Sequence, residues 1–278
     1  MNSRPLVSVC IPLYNGAASL TETLDSILCQ TYDNIEIIIC DDNSSDDPCS
    51  VIDKKNDPRI HYYKNPQNLG QCNNYNRCIE LSKGKYIKLM GQDDIIAPTM
   101  IEEYVNILEN DISVSLITCQ SGIIDENGNI ISERKYFSED TIFDGNKFAR
   151  KTFKNARNLF GEPALMIFRS ELYPKVKMDP KFPTNLDWDF CVQLCQYGKV
   201  YYRAAKLAEF RITTSSQSGN SYKTKHKYLK QQSIDLFDKH KENLKLTNSD
   251  RVWFGMLTEM LLYAKQIYVS LITKRKGN

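Results

Sequence analysis

Two stretches of the chain end in adjacent carboxylates. Lys85-Tyr86-Ile87-Lys88-Leu89-Met90-Gly91-Gln92-Asp93-Asp94 opens as a β-branched and aromatic run behind Ser82-Lys83-Gly84, the pattern of a strand, and stops in two acids. Ile35-Glu36-Ile37-Ile38-Ile39-Cys40 is another apolar strand, and Asp41-Asp42 follows it. Paired acids offer hard oxygen ligands to a divalent cation such as Mg²⁺ or Mn²⁺. Asp also favours helix starts, so a capping role stands beside the metal-binding one. Ligands of open α/β sheets bind outside the carboxyl ends of the strands, where both pairs fall. Carboxylates clustered there repel unless a cation or ligand hydrogen bonds compensate. A third acidic stretch, Leu186-Asp187-Trp188-Asp189-Phe190, opens a helix-type pattern.

Strands alternating with helices must position these acids. Leu6 to Pro12 is a buried strand stopped by proline, and Leu13-Tyr14-Asn15-Gly16 turns the chain into a helix over 17–30 with a stripe at Leu20, Leu24, Ile27 and Leu28. A short strand at Ile60 to Tyr63, the turn-rich Asn65-Pro66-Gln67-Asn68-Leu69-Gly70 and a helix over 71–81 lead to the strand before Asp93. This spacing predicts parallel pairing and a doubly wound sheet. Beyond it come a helix over 99–108, a strand over 114–119 and an Asn127-Gly128 hairpin turn. Residues 133–158 read as a polar loop with a short helix, Pro163 to Arg169 as a strand, and 199–202 and 207–211 as two edge strands. Two helices, over 222–243 and 249–272, close the chain.

The 278 residues suit one large α/β domain or a domain with an appendage. The net charge of +2 argues against nucleic acid. No apolar segment precedes the first strand, and Glu259 and Lys265 interrupt the most apolar late stretch. The nine cysteines are odd in number and scattered, which predicts a reduced, cytoplasmic protein.

Taken together, Ser8-Val9-Cys10-Ile11-Pro12-Leu13-Tyr14-Asn15-Gly16, Ser26 to Tyr32, Cys40-Asp41-Asp42-Asn43-Ser44-Ser45-Asp46, Asn68-Leu69-Gly70 and the stretch from Gly84 to Asp94 resemble the family 2 glycosyltransferases, inverting enzymes of the GT-A fold. The resemblance runs over about 7–215. It implies a GT-A domain over 1–215, with a nucleotide-binding half to about residue 97 and an acceptor-side half from 98, and a C-terminal helical extension over 216–278. It implies a nucleotide-diphosphate sugar donor, uridine being the expected base, and a saccharide or lipid-linked saccharide acceptor, with Mn²⁺ or Mg²⁺ as cofactor. Pro12, Tyr14, Asn15, Asp41, Asn68, Asp93 and Arg211 match donor-side positions, Asp94 the principal metal ligand, and Asp187 the general base. An aromatic face can stack on a base, and a carboxylate can accept an acceptor proton.

Departures accompany the match. Gln92 replaces the first acid of the metal motif, Leu186 replaces a Glu before Asp187, and Thr213 stands where relatives carry a His. Asp189 is the rival base, and Trp188 suits acceptor or core equally. The rival functions are a sugar nucleotidyltransferase, which would show a glycine-rich loop where Gly16 stands alone, and a non-catalytic nucleotide-sugar module. Lys223 to Lys227 and Lys274-Arg275-Lys276 flank the last helices, which suits either peripheral contact with the inner face of a plasma membrane or a solvated helix face.

Overall fold

The computed structural model describes residues 4–212 and 226–275. Side-chain alternation along β1 (Val7–Leu13) divides the core into two layers. Val7, Val9, Ile11 and Leu13 join Leu20, Leu24 and Ile27 of α1 (Ala17–Leu28) and Tyr104 and Leu108 of α4 (Met100–Asn110). Cys10 faces the other layer, with Tyr75 and Cys78 of α3 (Gln71–Leu81). A sheet covered on both faces needs strands apolar throughout, as the run before Asp41 is.

β2 (Ile35–Asp41) pairs parallel with one side of β1, and β4 (Tyr86–Leu89) with the other; β3 (Ile60–Lys64) lies beyond β2. The two Asp-Asp pairs therefore end on one sheet edge, with the end of β1 between them. α2 (Cys49–Lys55) connects β2 to β3. Past β4 the sheet becomes mixed. β9 (Ile167–Arg169) runs antiparallel to β4 and to β6 (Val114–Ile124), and β6 runs parallel to β10 (Lys199–Arg211). β7 (Ile130–Arg134) adds to β6, while β5 (Ile95–Ile96) and β8 (Thr141–Asp144) add to β10. The ten strands follow the order β3-β2-β1-β4-β9-β6-β10-β5 with β7 and β8 beside that path.

Three local expectations are corrected. The two expected edge strands are one strand, β10, paired on both sides; register shifts around Arg203, Lys206 and Ala208 are bulges that break its alternation. Residues 133–158 hold the expected short helix, α5 (Gly145–Lys154), with Phe148, Ala149 and Phe153 buried and Asp144 capping its start by accepting from Lys147 N at 2.9 Å, but the expected loop before it contains a strand, β8. Pro163–Leu165 is a 3₁₀ turn and only Ile167–Arg169 is strand, since proline cannot donate to a ladder.

The carboxyl-terminal helices α7 (His226–His240) and α8 (Asn248–Arg275) share the main core. Leu236, Phe237, Leu244, Leu246 and Phe254 pack in the same cluster as Phe153 and as Trp188 of α6 (Leu186–Leu194). No described helix is long and apolar enough to cross a membrane. All nine cysteines are free. Thr213, Ser215 to Asn220, Lys223 to Lys225 and Lys276 lie outside the described residues.

Candidate active site

The loop after β4 turns Asp93 and Asp94 back over the sheet edge. Asp94 is buried, and Oδ1 accepts from the backbone N–H of Arg211 at 3.2 Å. Burial, then the neighbouring Asp93, pushes its carboxyl up to about 8, against the pull of the Arg211 N–H and Lys88. Asp93 is raised too, chiefly by burial. Gly91 makes room for this arrangement, since a Cβ there would overlap Asp94 Oδ2. Among the described residues no Lys, Arg or His forms an ion pair with either acid.

The other acid pair is satisfied by the protein itself. Asp41 accepts from Ser44 N at 2.8 Å and Tyr62 Oη at 2.5 Å. Asp42 accepts from Asn65 Nδ2, Leu69 N and Gly70 N at 2.7–2.9 Å. It thereby fixes the turn whose glycine has φ +81°, at the start of α3. Repulsion among four carboxylates is thus met by several hydrogen bonds at one pair, while at Asp93 and Asp94 the Arg211 N–H and the charges of Arg211 and Lys88 offset it only in part.

Gln92 couples the two halves of this edge. Its Oε1 accepts from Tyr14 N at 2.8 Å and its Nε2 donates to Tyr14 O at 3.2 Å, across the space that any side chain at Gly16 would fill. The Tyr14 ring is left half exposed. Asn15 sits at φ 48°, its Oδ1 accepting from Ser45 N at 2.9 Å, so its side chain shapes the loop. Pro12 is partly buried in β1 opposite Cys40. Asn68 is exposed, donating to Asp42 O at 3.2 Å.

Asp187 stands in the first turn of α6. Burial raises its carboxyl to about 6, opposed by the N–H groups of Trp188 and its own residue, by Arg134 and by Asn158, whose Nδ2 donates to it at 2.9 Å. Tyr75 connects it with the other acids. That buried phenol donates to Met90 O at 3.1 Å, and after burial it is held neutral most by Asp94, with Asp187 and Asp93 also contributing. Asp94, Asp187 and Asp93 thus all act electrostatically on this one phenol.

Asp189 points elsewhere. Fully buried, it accepts from His240 Nε2 at 2.7 Å, Lys239 Nζ at 2.9 Å and Gln193 Nε2 at 2.8 Å, tying α6 to α7. Trp188 is a core residue: its Nε1 donates to Thr152 at 2.9 Å and its ring stacks on Phe153 at 5.2 Å. Leu186 is buried.

Arg211, which matches a donor-side position, is engaged by the protein itself. Its side chain is buried, and Nε donates to Asp93 O at 3.0 Å, Nη1 to the carbonyls of Asp125 and Glu126 at 3.2 and 3.3 Å, and Nη2 to Glu22. These bonds occupy every guanidinium nitrogen and make Arg211 a positioning residue. Sequence reasoning also passed over Lys88. Buried in β4 and donating to Leu89 O at 2.7 Å and to Ala164 O, it is depressed to about 7 by burial, with Cys119 and Asp94 opposing. A lysine inside Tyr86-Ile87-Lys88-Leu89 was the available signal. A cavity of about 640 Å³ lies beside α3, lined by Asn73, Arg77, Met178, Gln193 and Lys239 among others.

A sheet parallel in its first half and mixed in its second, with acids converging at the carboxyl ends of its strands, defines a GT-A glycosyltransferase. The chain belongs to glycosyl transferase family 2, whose description matches residues 8–176. It is 28% identical over 268 residues to an uncharacterized glycosyltransferase of Methanocaldococcus jannaschii, covering 94% of this chain and 88% of that one. Over 106 residues it is 40% identical to an Escherichia coli UDP-Glc:α-D-GlcNAc-diphosphoundecaprenol β-1,3-glucosyltransferase, covering 38% of this chain and 42% of the relative. Residues 1–349 of S. aureus TarS bound to UDP-GlcNAc superpose with a TM-score of 0.66 at 14% identity, covering 98% of this chain and 92% of that one. A Pyrobaculum calidifontis mannosyltransferase with GDP-Man and Mn²⁺ gives 0.60 at 14% identity, covering 99% and 80%.

Proposed function

We propose that this glycosyltransferase moves a sugar from a UDP-sugar to a hydroxyl of a lipid-linked saccharide, with inversion, in the building of a bacterial surface polysaccharide such as O-antigen or capsule. The observation that carries this reading is the pair Asp93 and Asp94 beyond β4, held by Arg211 with Asp94 buried, within electrostatic reach of the same phenol, Tyr75, as Asp187. Uridine as the base and a lipid carrier for the acceptor rest on the E. coli relative's substrates.

Asp94, with Asp93, fits Mn²⁺ or Mg²⁺. Both carboxylates are raised by burial, and Asp94 also by Asp93, which a bound cation would relieve. Among the described residues no cluster of three or more His, Cys, Asp or Glu could hold a metal ion. Such ions are commonly held by one or two carboxylates, with water and substrate phosphates completing the shell. When bound, the ion neutralises charge on the departing diphosphate. The chain's own groups do the rest. Tyr14 offers a ring face to the base, with Pro12 two residues before it and Asn68 exposed on the loop before α3, while Asn15 and the buried Asp41 hold the loop that carries Ser44 and Ser45. Arg211 fixes the acids. Asp187, oriented by Asn158, takes the proton from the acceptor hydroxyl as its oxygen attacks the anomeric carbon opposite the diphosphate. A base poised near 6 is ionised at neutral pH yet still basic enough to accept a proton.

The test is transfer from UDP-sugars to a polyprenyl-diphosphate-linked sugar with Mn²⁺ present, the product's anomeric configuration being read by NMR. An inverted linkage is expected. A retained linkage, or donor turnover without any transfer across a panel of acceptors, would overturn the reading.

A further inference from the structure

The cavity beside α3 has a volume of about 640 Å³, within the range of roughly 300–1,000 Å³ for small-molecule sites. One face of α3 forms its wall, with Asn73, Asn76, Arg77 and Glu80 at spacings of three and four. The facing wall is pinned to that helix. Asn76 Nδ2 donates to Met178 O at 2.9 Å, and its Oδ1 accepts from Met178 N at 3.0 Å.

The charges lining the cavity are answered within the protein, with one exception. Lys177 Nζ meets Glu80 at 2.7 Å, and Lys239 Nζ meets Asp179 and Asp189 at 2.9 Å each. Arg77 has no such partner among the described residues, and its Nε is buried without an acceptor. The titratable neighbour it acts on is the buried Cys40 thiol, lowered chiefly by Cys78 and, against the effect of burial, by Arg77. A thiol is a weak acceptor and leaves the guanidinium without an oxygen. Holding a partly buried guanidinium in that state costs free energy that an oxyanion would return, and the planar fork suits phosphate. Asn73, exposed one turn before Arg77, donates to Leu69 O at 2.9 Å and keeps its amide oxygen for a hydroxyl.

We propose that this cavity binds a saccharide phosphate, Arg77 holding the phosphate and Asn73 a sugar hydroxyl. The cavity is larger than a lone oxyanion fills, and its polar wall suits a hydroxylated body beside the charge. Two sources carry that chemistry. One is the phosphate joining the acceptor saccharide to its lipid, which rests on the acceptor proposed above; the other is a free sugar phosphate. The cavity adjoins the proposed base. Cys72, in the first turn of α3, lies 3.8 Å from Asp179 O, and its thiol is held neutral by burial first, then by Asp179, Asp189 and Asp187. Arg77 follows five residues later, about 7.5 Å along the helix axis.

The probe is glucose 1-phosphate, titrated calorimetrically into the full chain with neither donor nor acceptor present. Arg77→Met should weaken its binding by roughly ten- to hundredfold. Lys177→Met should weaken it as well, because the freed Glu80 can then pair with Arg77 one turn away. Asp94→Asn, in the proposed donor site, should leave it unchanged. No binding, equal binding by the parent and Arg77→Met, or a loss caused by Asp94→Asn would each overturn the proposal. Transfer assays then separate the sources. A raised KM for the diphosphate-linked acceptor in Arg77→Met, with kcat and the donor KM unchanged, assigns the phosphate to the acceptor. An unchanged acceptor KM assigns it to a free sugar phosphate. Binding of the probe is read without turnover, so its failure is distinct from failure of the transfer reaction.

Discussion

The backbone N–H of Arg211 holds Asp94 Oδ1 at 3.2 Å while the same residue's Nε holds the Asp93 carbonyl at 3.0 Å. The last residue of β10 therefore fixes the acids that follow β4. Replacing Arg211 with Met leaves Glu22 and three carbonyls without their donor. Because the Arg211 side chain is buried but Glu22 is exposed, the cost is chiefly that of carbonyls left without a donor, about 1–3 kcal/mol each, which urea denaturation would report as a lower midpoint. Arg211→Lys should rescue little, because an ammonium cannot reproduce the planar fork.

Asp94→Asn removes a carboxylate from the proposed metal pair. In calorimetry, Mn²⁺ should no longer improve UDP-sugar affinity; unchanged metal dependence would remove Asp94 from that role. Gly91→Ala should weaken the same metal dependence with Asp94 intact, since its methyl group displaces Oδ2.

Asp187→Asn should lower transfer by about two to four orders of magnitude, the usual contribution of a general base, with UDP binding retained. In the parent enzyme the rate should fall as pH drops through about 6, where Asp187 takes up its proton.

The same shift has a stability consequence of definite sign. A carboxyl whose folded pKa lies above its unfolded one favours folding fully below the unfolded value, and loses that contribution as pH rises through the folded one. Asp187→Asn should thus be more thermostable than the parent at pH 7.5, with the difference shrinking towards pH 4. A variant no more stable at pH 7.5 would place Asp187 in water.

Asp189→Asn tests the neighbouring acid. It should loosen α7, seen as faster amide exchange over 226–240, because His240 and Lys239 lose their charged partner. Any loss of transfer should follow the loss of fold. Transfer abolished in a fully folded Asp189→Asn protein, with Asp187→Asn active, would exchange the two roles.

The parallel half was legible because its signals are local: apolar runs, turn residues, and acids at strand ends. Asp93 and Asp94 could be singled out that way, whereas Asp187 was set apart from Asp189 by the family resemblance. What escaped depends on contacts far along the chain. Nothing near Arg211 reveals that Glu22, Asp93, Asp125 and Glu126 will surround it, so a buried clamp looked like a ligand for phosphate. Bulges hid the unity of β10, since each extra residue inverts the alternation used to recognise a strand. A short helix was legible within the polar stretch 133–158, but the burial of its Phe148 and Phe153 was not, because it comes from partners such as Phe160 and Trp188.

The bonds from His240 and Lys239 to Asp189 have a practical corollary for anyone cutting this gene. A version stopping at residue 215 would leave a fully buried carboxylate with Gln193 as the remaining one of its three donors and uncover the aromatic faces of Phe153 and Trp188. Such a truncation should be recovered as insoluble material, so the final helices cannot be trimmed to make a minimal enzyme or exchanged as a cassette between relatives.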